Sequence, residues 1–223
     1  MKNKTQKSKC SLLQKDKLIK KPVLQSKFNK NYYFGNIYSN YDEFLNWKEV
    51  AKDLIKRFKF NSFLDIGCGC GNLVKEIKKQ KGKSADVYGI DASDFAVKKA
   101  NISFVILADC QNLPFKDNYF DVVFILTTYS YLYSISDVRQ AIREAYRVSR
   151  RIIIFEDVYD IPDKTSDNYD SCRQQFFSRK QWASFWKTFT KSDRIEICKY
   201  IGQGRFYNTI EIHKKYNNKK YET

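Results

Sequence analysis

The chain has 223 residues, is 43% hydrophobic and 16% aromatic, and carries a formal net charge of +16 at pH 7. This length suits one medium-sized domain with tails rather than two full domains, and the aromatic content predicts a folded core. No apolar run approaches the roughly 20 residues of a membrane helix, and lysines stand where a signal peptide would have its apolar core. We therefore expect a soluble intracellular protein without a membrane partner.

The basic residues are concentrated at the N-terminus. Residues 1–30 contain ten lysines and one acidic residue, Asp16, so more than half of the net charge falls there. Such a tail is a solvated extension, a nuclear localisation signal or a segment that binds RNA or DNA. An A/T-rich codon usage would also account for much of the lysine. We predict a disordered tail over 1–30, a domain over 31–216 and a polar tail over 217–223. The expected location is cytoplasmic, with a nuclear one left open.

Helical and strand patterns alternate along the domain. Residues 31–44, here called the aromatic segment, are rich in Tyr and Phe, and Ser39 or Asn40 is predicted to cap a helix that runs to Phe58. The apolar runs predict strands over 61–66, 86–91, 102–107, 120–126 and 151–156. Between them, helical spacing predicts helices over about 72–80, 92–100 and 136–149, the last starting at Ser136.

The pattern changes after Glu156. An irregular stretch reaches residue 178, where Ser178 and Gln181 predict a capping box before a further helix, and two antiparallel strands, 194–200 and 206–213, end the domain. Most of the earlier strands are apolar throughout, as strands covered on both faces are. We therefore predict an α/β fold, a Rossmann-like seven-stranded mainly parallel sheet with helices on both faces and an antiparallel terminal strand pair.

A glycine-rich turn follows the first strand. Gly67, Gly69 and Gly71 alternate with other residues, and Asn72 then begins a helix. Glycines allow a ligand to approach the backbone closely, and free N–H groups at a helix start point at the same place. This arrangement predicts a ligand cradle, most often one for a nucleotide.

Three motifs in order carry a resemblance to a known family. The segments LDIGCGCG, GIDAS and ADCQNLPFKDNYFDVVF resemble those of the class I S-adenosylmethionine-dependent methyltransferases, especially the small-molecule type, over roughly residues 40–156. The G-x-G-x-G spacing differs from the G-x-G-x-x-G of nicotinamide and flavin enzymes. The resemblance implies S-adenosylmethionine as the methyl donor.

The chemistry of this donor suggests a partner for each of its groups. Asp65, at the end of the first strand, is placed to accept a hydrogen bond from the amino group, and the turn of Gly67, Cys68, Gly69 and Gly71 offers backbone N–H groups to the methionyl part. Asp91, followed by Ala92, ends the second strand, where a carboxylate takes both ribose hydroxyls.

The adenine is expected beside the next two strand ends. Asp109 can accept from the adenine amino group, and the Cys110 N–H can donate to a ring nitrogen. Leu126 and Thr127 should form the opposite wall, and Tyr41 of the aromatic segment should cover the cofactor. The cysteine thiols are interpreted as small packing groups, because the six cysteines show no C-x-x-C spacing, and no metal site is predicted.

The acceptor side is less defined by the sequence. Methyl transfer depends mainly on alignment, and a base is needed only if the nucleophile arrives protonated. Tyr131, Glu156 and Asp157 are the catalytic candidates because they follow the fourth and fifth strands, and Tyr38 is a further candidate near the methyl group. We expect a small-molecule acceptor. The alternatives are an RNA or protein methyltransferase docked by the basic tail, or a catalytically silent subunit that binds RNA or a partner protein.

Overall fold

The computed structural model describes residues 27–35, 37–157, 170–190, 193–198 and 209–215. The strands in this part of the chain are β1 (Ser62–Ile66), β2 (Asp86–Asp91), β3 (Val105–Leu107), β4 (Phe120–Leu126), β5 (Ser149–Glu156), β6 (Arg194–Cys198) and β7 (Thr209–His213). The helices are α1 (Lys30–Tyr33), α2 (Trp47–Phe58), α3 (Asn72–Lys81), α4 (Asp94–Ala100), α5 (Ile135–Val148) and α6 (Arg179–Phe189), with single 3-10 turns at Tyr41–Glu43 and Tyr129–Tyr131.

The seven strands form one sheet in the order β3-β2-β1-β4-β5-β7-β6. The first five are parallel, whereas β7 pairs antiparallel with both β5 and β6. The predicted α/β architecture, with its antiparallel terminal pair, is confirmed. Because the sequence order reverses direction beside β1, loops after β1, β2 and β4 meet at one edge of the sheet, which is where open α/β sheets bind ligands.

Two apolar clusters cover the two faces of the sheet. Alternate residues of one strand point to opposite faces, so Phe63 joins the cluster formed with α2 and α3, while Leu64 joins the cluster formed with α5 and α6. Trp182 and Trp186 of α6 are fully buried in the second cluster. Both faces are therefore dry, which explains why the parallel strands read as continuous apolar runs.

Several predicted elements differ from the observed ones. The helix expected from Asn40 to Phe58 is interrupted, because Asn46 leaves helical geometry and its side chain accepts from the Glu49 amide to start α2. The third strand begins only at Val105, after a turn in which the Val105 amide donates to the Ile102 carbonyl. Helix α5 begins before Ser136, since Ser134 caps it.

The capping box predicted at Ser178 is confirmed, with Gln181 as its partner. Residues 1–26 and 216–223, which hold most of the predicted N-terminal tail and all of the predicted C-terminal tail, lie outside the described residues. In the described part of the chain, none of the helices combines the length and hydropathy of a bilayer-spanning segment.

Candidate functional site

A cavity of about 770 Å³, open solvent at its mouth included, lies at the carboxyl ends of the central strands. The loops after the strands supply one wall, which consists of Gly67 after β1, Asp91 and Ala92 at the end of β2, Asp109 and Cys110 after β3, and Leu126 to Thr128 after β4. The structure thus brings together most of the residues that the sequence nominated for the cofactor. Asp65 on β1 does not line the cavity itself, and neither do Cys68, Gly69 and Gly71 of the glycine turn.

The glycine turn has a backbone that requires glycine. Gly67, Gly69 and Gly71 have φ values of +76°, +53° and +72°, in the left-handed region. A Cβ at Gly67 would lie 2.2 Å from the Thr128 hydroxyl oxygen, and one at Gly69 would lie 2.5 Å from the Tyr41 hydroxyl oxygen. No side chain caps α3, which starts directly after Gly71, so its first N–H groups stay available to a ligand.

Asp91 is fixed by backbone donors at the end of β2. Its Oδ2 accepts from the Gly69 amide at 2.8 Å and its Oδ1 from the Ser93 amide at 2.7 Å. Burial raises its pKa to about 6, although hydrogen bonds from Ser93, Gly69 and Ala92 and from the Tyr33 hydroxyl act in the opposite direction. The carboxylate is therefore preoriented, and a ribose hydroxyl would take the place of the Tyr33 hydroxyl.

Asp65 is a buried carboxyl group on β1, 4% exposed. Burial raises its pKa to about 8, and the neighbouring charge of Asp91 adds to this effect. In the described chain no donor forms a hydrogen bond with its side chain. Two close buried carboxyl groups of like charge are costly, and a cation beside them would relieve the cost. The α-ammonium group of S-adenosylmethionine is such a cation, so the residues present fit this ligand.

The loop that bears Asp109 and Cys110 is anchored to α5. Glu144 accepts from the Leu113 amide at 2.8 Å, and Arg147 donates to the Leu113 carbonyl at 3.0 Å and to the Phe115 carbonyl at 2.7 Å. Asp109 itself accepts from the Gln111 amide at 2.8 Å. Burial raises the pKa of the Cys110 thiol well above its usual value, in keeping with a packing role.

The aromatic segment covers the cavity. Tyr41 lies against the glycine turn and packs edge-to-face on Tyr33 and Tyr38, each at a ring-centroid distance of 5.0 Å. The Tyr32, Tyr33 and Phe44 rings also line the space. Burial raises the pKa of Tyr41 well above its usual value, so its hydroxyl stays protonated at neutral pH. Tyr41, which the sequence nominated for the cofactor, lines the cavity.

The three catalytic candidates lie in different surroundings. Tyr131 lines the cavity, whereas Asp157 is buried and accepts from the Ser130 amide at 3.0 Å. Glu156 ends β5, and burial followed by the charge of Asp157 raises its pKa to about 7. Only Tyr131 of the three borders the cavity.

The sequence did not single out two residues that contact Tyr131. Its hydroxyl donates to Asp170 Oδ2 at 2.7 Å, and the Tyr32 hydroxyl donates to the Tyr131 hydroxyl at 2.8 Å. Asp170 lies in the irregular stretch after β5, and no local motif marks it. The only signal that could have pointed to it is the length of that stretch, which is typical of functional loops.

A separate polar cluster lies on the antiparallel pair. His213 Nε2 lies 3.3 Å from Glu211 Oε2 and 3.6 Å from Glu196 Oε2, a grouping that can resemble a metal site. However, the Arg57 guanidinium lies 2.6 Å from Glu211 Oε1 and already supplies the buried carboxylate with a positive charge. The cluster is explained as an ion-pair network.

Residues 64–152 match the family model described as a methyltransferase domain. The chain is 29% identical over 204 residues to a 2-phytyl-1,4-naphtoquinone methyltransferase of Nostoc punctiforme, with 84% of this chain and 80% of that protein covered. It is 28% identical to a demethylmenaquinone methyltransferase of Thermotoga maritima over 47% of this chain and 46% of that protein. For most of the relatives that head this comparison, the chain spans about half of their length.

Solved structures share the fold at low identity. A SAM-dependent methyltransferase from Archaeoglobus fulgidus has a TM-score of 0.60 at 19% identity and covers 83% of this chain and 100% of its own. The plantazolicin methyltransferase BpumL in complex with SAH has the same TM-score and identity, with coverage of 86% and 96%. Residues 64–152 thus carry a methyltransferase domain, and the sheet has the fold of solved SAM-dependent methyltransferases.

Proposed function

We propose that this protein transfers a methyl group from S-adenosylmethionine to a small-molecule acceptor. The observation that carries the proposal is the convergence of Asp91, Asp109 and the glycine turn on one cavity at the strand ends. When bound, the donor supplies a methyl carbon activated by positive sulfur. The residues of the chain then have to hold it, align the acceptor and exclude water.

Each cofactor residue has a proposed task. Asp91 accepts from the ribose hydroxyls, and Asp65 neutralises the α-ammonium group, directly or through water. Asp109 and the Cys110 amide recognise the adenine edge, while Leu126 and Thr127 pack against its face. The geometry supports these tasks because the carboxylates of β1 and β2 are adjacent in the sheet, with Asp65 paired to Gly89 and Asp91 two residues further along β2.

Two observations favour a small acceptor. The aromatic segment covers the cavity and supplies Tyr32, Tyr33, Tyr38, Tyr41 and Phe44 to its lining, so an acceptor has to fit beneath these rings. The similar proteins from Nostoc punctiforme and Thermotoga maritima are named as methyltransferases of quinones, which are small molecules. RNA or protein remains the alternative class of acceptor, and the cytoplasmic location stays a prediction.

The cofactor assignment is tested with Asp91→Ala. We expect S-adenosylmethionine affinity, measured by calorimetry, to fall at least about 100-fold, since the change removes charge-assisted hydrogen bonds worth roughly 1.5–3 kcal/mol each. Asp94→Ala is the matched control, because Asp94 begins α4 shortly after β2 and pairs with Lys98 outside the cavity. Unchanged affinity of Asp91→Ala would overturn the assignment.

The acceptor class is tested by methyl-label transfer. The wild-type protein is incubated with labelled S-adenosylmethionine and, in parallel, with a small-metabolite extract, total RNA or protein extract. We expect label in the small-molecule fraction. Label confined to RNA or protein would contradict the proposed acceptor class, and no transfer in any fraction despite cofactor binding would favour a silent binding subunit.

A further inference from the structure

One end of the cavity is lined by aromatic rings, and one carboxylate bonds to the hydroxyls of two of them. We define this acceptor end as Phe28, Tyr32, Tyr38, Tyr131 and Asp170. The Phe28 ring contacts Tyr32 at 5.0 Å and Tyr131 at 5.3 Å, both edge-to-face, and Tyr32 contacts Tyr38 at 5.6 Å. The four aromatic residues line the cavity, and Asp170 lies behind them on the hydroxyl of Tyr131.

The acceptor end adjoins the cofactor end through a continuous set of rings. Tyr41 lies against Gly69 of the glycine turn, and Tyr38 packs on Tyr41 at 5.0 Å. Tyr38 in turn contacts Tyr32, whose hydroxyl meets that of Tyr131. A molecule bound at the acceptor end is therefore adjacent to the methionyl side of the cofactor site.

Asp170 is held in place by its own surroundings. Its Oδ1 accepts from the Cys172 amide at 2.9 Å, while Oδ2 accepts from Tyr131 at 2.7 Å and from Tyr32 at 3.3 Å. The Gln174 and Gln175 amides both donate to the Ser130 carbonyl at 2.8 Å, which fastens this loop to the turn that carries Tyr131. The carboxylate is thus a fixed part of the site.

The charge of the cavity restricts its occupant. Among the described residues that line it there is no Lys, Arg or His, while Asp91 and Asp109 are acidic. The Lys27 ammonium lies over the Tyr133 ring, which does not line the cavity. An anionic acceptor would therefore find no positive partner among these lining residues, whereas aromatic rings that are hydrogen-bonded to a carboxylate favour an organic cation.

We propose that the acceptor end binds an amine and that the enzyme transfers the methyl group to nitrogen. This inference rests on the proposed function. The amine arrives as an ammonium ion, which the rings and Asp170 stabilise, and it must lose one proton before it reacts. The Tyr131 hydroxyl passes its proton to Asp170 as it takes one from the ammonium group.

The remaining step balances in atoms and charge. The free nitrogen lone pair forms the new N–C bond to the methyl carbon as the C–S bond breaks, and the C–S electron pair stays on sulfur. The positive charge passes from the sulfonium to the methylated ammonium product, and the proton on Asp170 leaves to solvent. Asp170 is the proton acceptor in this scheme, and Tyr131 and Tyr32 orient the nitrogen.

The first test compares two ligands of the same shape. Choline and 3,3-dimethylbutan-1-ol differ only in a positive nitrogen against a neutral carbon, and both are titrated calorimetrically into the full chain saturated with S-adenosylhomocysteine. We expect choline to bind at least about 10-fold more tightly, since cation–aromatic contacts are worth up to about 2 kcal/mol in desolvated sites. Equal affinities, or tighter binding of the alcohol, would overturn the inference.

Variants test whether the preference for choline over the neutral alcohol arises at the acceptor end. Asp170→Asn should reduce choline affinity about 10-fold and leave the affinity of the neutral alcohol unchanged. Tyr133→Phe is the control, because Tyr133 is exposed and outside the cavity. Binding of S-adenosylhomocysteine is measured on the wild type and on every variant. If the wild type does not bind it, the proposed function is contradicted. If the wild type binds it but shows no preference for choline over the neutral alcohol, only the amine acceptor is contradicted.

Discussion

The Gly69 amide donates to the Asp91 carboxylate across 2.8 Å and so joins the turn after β1 to the end of β2. One hydrogen bond thereby fixes two parts of the cofactor site relative to each other. The bond depends on a left-handed backbone at Gly69, and the Tyr41 hydroxyl lies only 2.5 Å from where a Cβ would be. Changes at Gly69 are thus expected to affect cofactor binding beyond their effect on stability.

Gly69→Ala should bind S-adenosylhomocysteine at least about 10-fold more weakly than the wild type. Gly82→Ala is the matched control, since Gly82 also has a left-handed φ of +79° but a Cβ there would meet nothing within 4 Å. Both variants should lose about 1–3 kcal/mol of stability from backbone strain. Calorimetry and urea unfolding separate the effects, and equal affinities of the two variants would contradict the role of the turn.

Tyr33→Phe should increase cofactor affinity. The Tyr33 hydroxyl is close enough to the Asp91 carboxylate to lower its pKa, so removing it frees the carboxylate for the ribose and should tighten binding about 2–10-fold, the worth of one hydrogen bond. Tyr119→Phe is the control, because it removes an equivalent bond to Asp86 at the opposite end of β2. Weaker binding by Tyr33→Phe would show that the hydroxyl assists the cofactor.

Asp65 should make the cofactor-free protein less stable as the pH rises. Its pKa is about 8 in the folded protein and about 3.9 when unfolded. Between these values the folded protein holds a proton that the unfolded chain has lost, so this contribution to stability is complete below about pH 4 and disappears through pH 8. The Asp65→Asn variant lacks this dependence.

Thermal unfolding from pH 5 to 8 checks this expectation. The melting temperature of Asp65→Asn minus that of the wild type should increase by about 2–4 °C or more from pH 5 to pH 8, which corresponds to roughly 1 kcal/mol of stability. Asp94→Asn, on α4 outside the cavity, is the control. Parallel curves for Asp65→Asn and the wild type would refute the assignment, and the same variant should bind the cofactor more weakly.

Arg147→Met should destabilise the protein and loosen the adenine loop. Glu144 is 7% exposed and would lose its guanidinium partner, a change that costs about 3–5 kcal/mol for a buried pair. Arg143→Met is the control, one turn earlier on α5, where the guanidinium reaches only Gln140 at 3.3 Å and the Phe189 ring. Urea unfolding measures the difference, and similar losses for both variants would contradict the anchoring role.

The sequence predicted the centre of the sheet most accurately. The observed bounds of β2 and β4 coincide with the predicted ones, because each is an apolar run with a clear turn or polar residue at both ends. The prediction of a continuous helix before β1 was wrong because apolar spacing continues through Phe44, although Asn46 offers a new cap. Phe44 is in fact 39% exposed.

The residues of the candidate site also fall into those that local sequence motifs predicted and those that they did not. The glycine turn and the aspartates at strand ends are local motifs, and Gly67, Asp91 and Asp109 among them line one cavity. Asp170 and Tyr32 could not be found, since their roles depend on a contact between residues 138 positions apart in the chain. Such contacts depend on how a long loop folds back over the sheet, which local patterns do not encode.

The aromatic segment is attached to the domain in a particular way. The backbone hydrogen bonds of its described residues connect only residues within the segment or just before it, and it adds no strand to the sheet. It can therefore detach as a unit while the sheet stays intact, at a free energy well below that of global unfolding. At high ligand concentration, opening of the aromatic segment should then limit the rate of ligand association. The observed binding rate should therefore reach a plateau as the ligand concentration increases, instead of rising linearly with it.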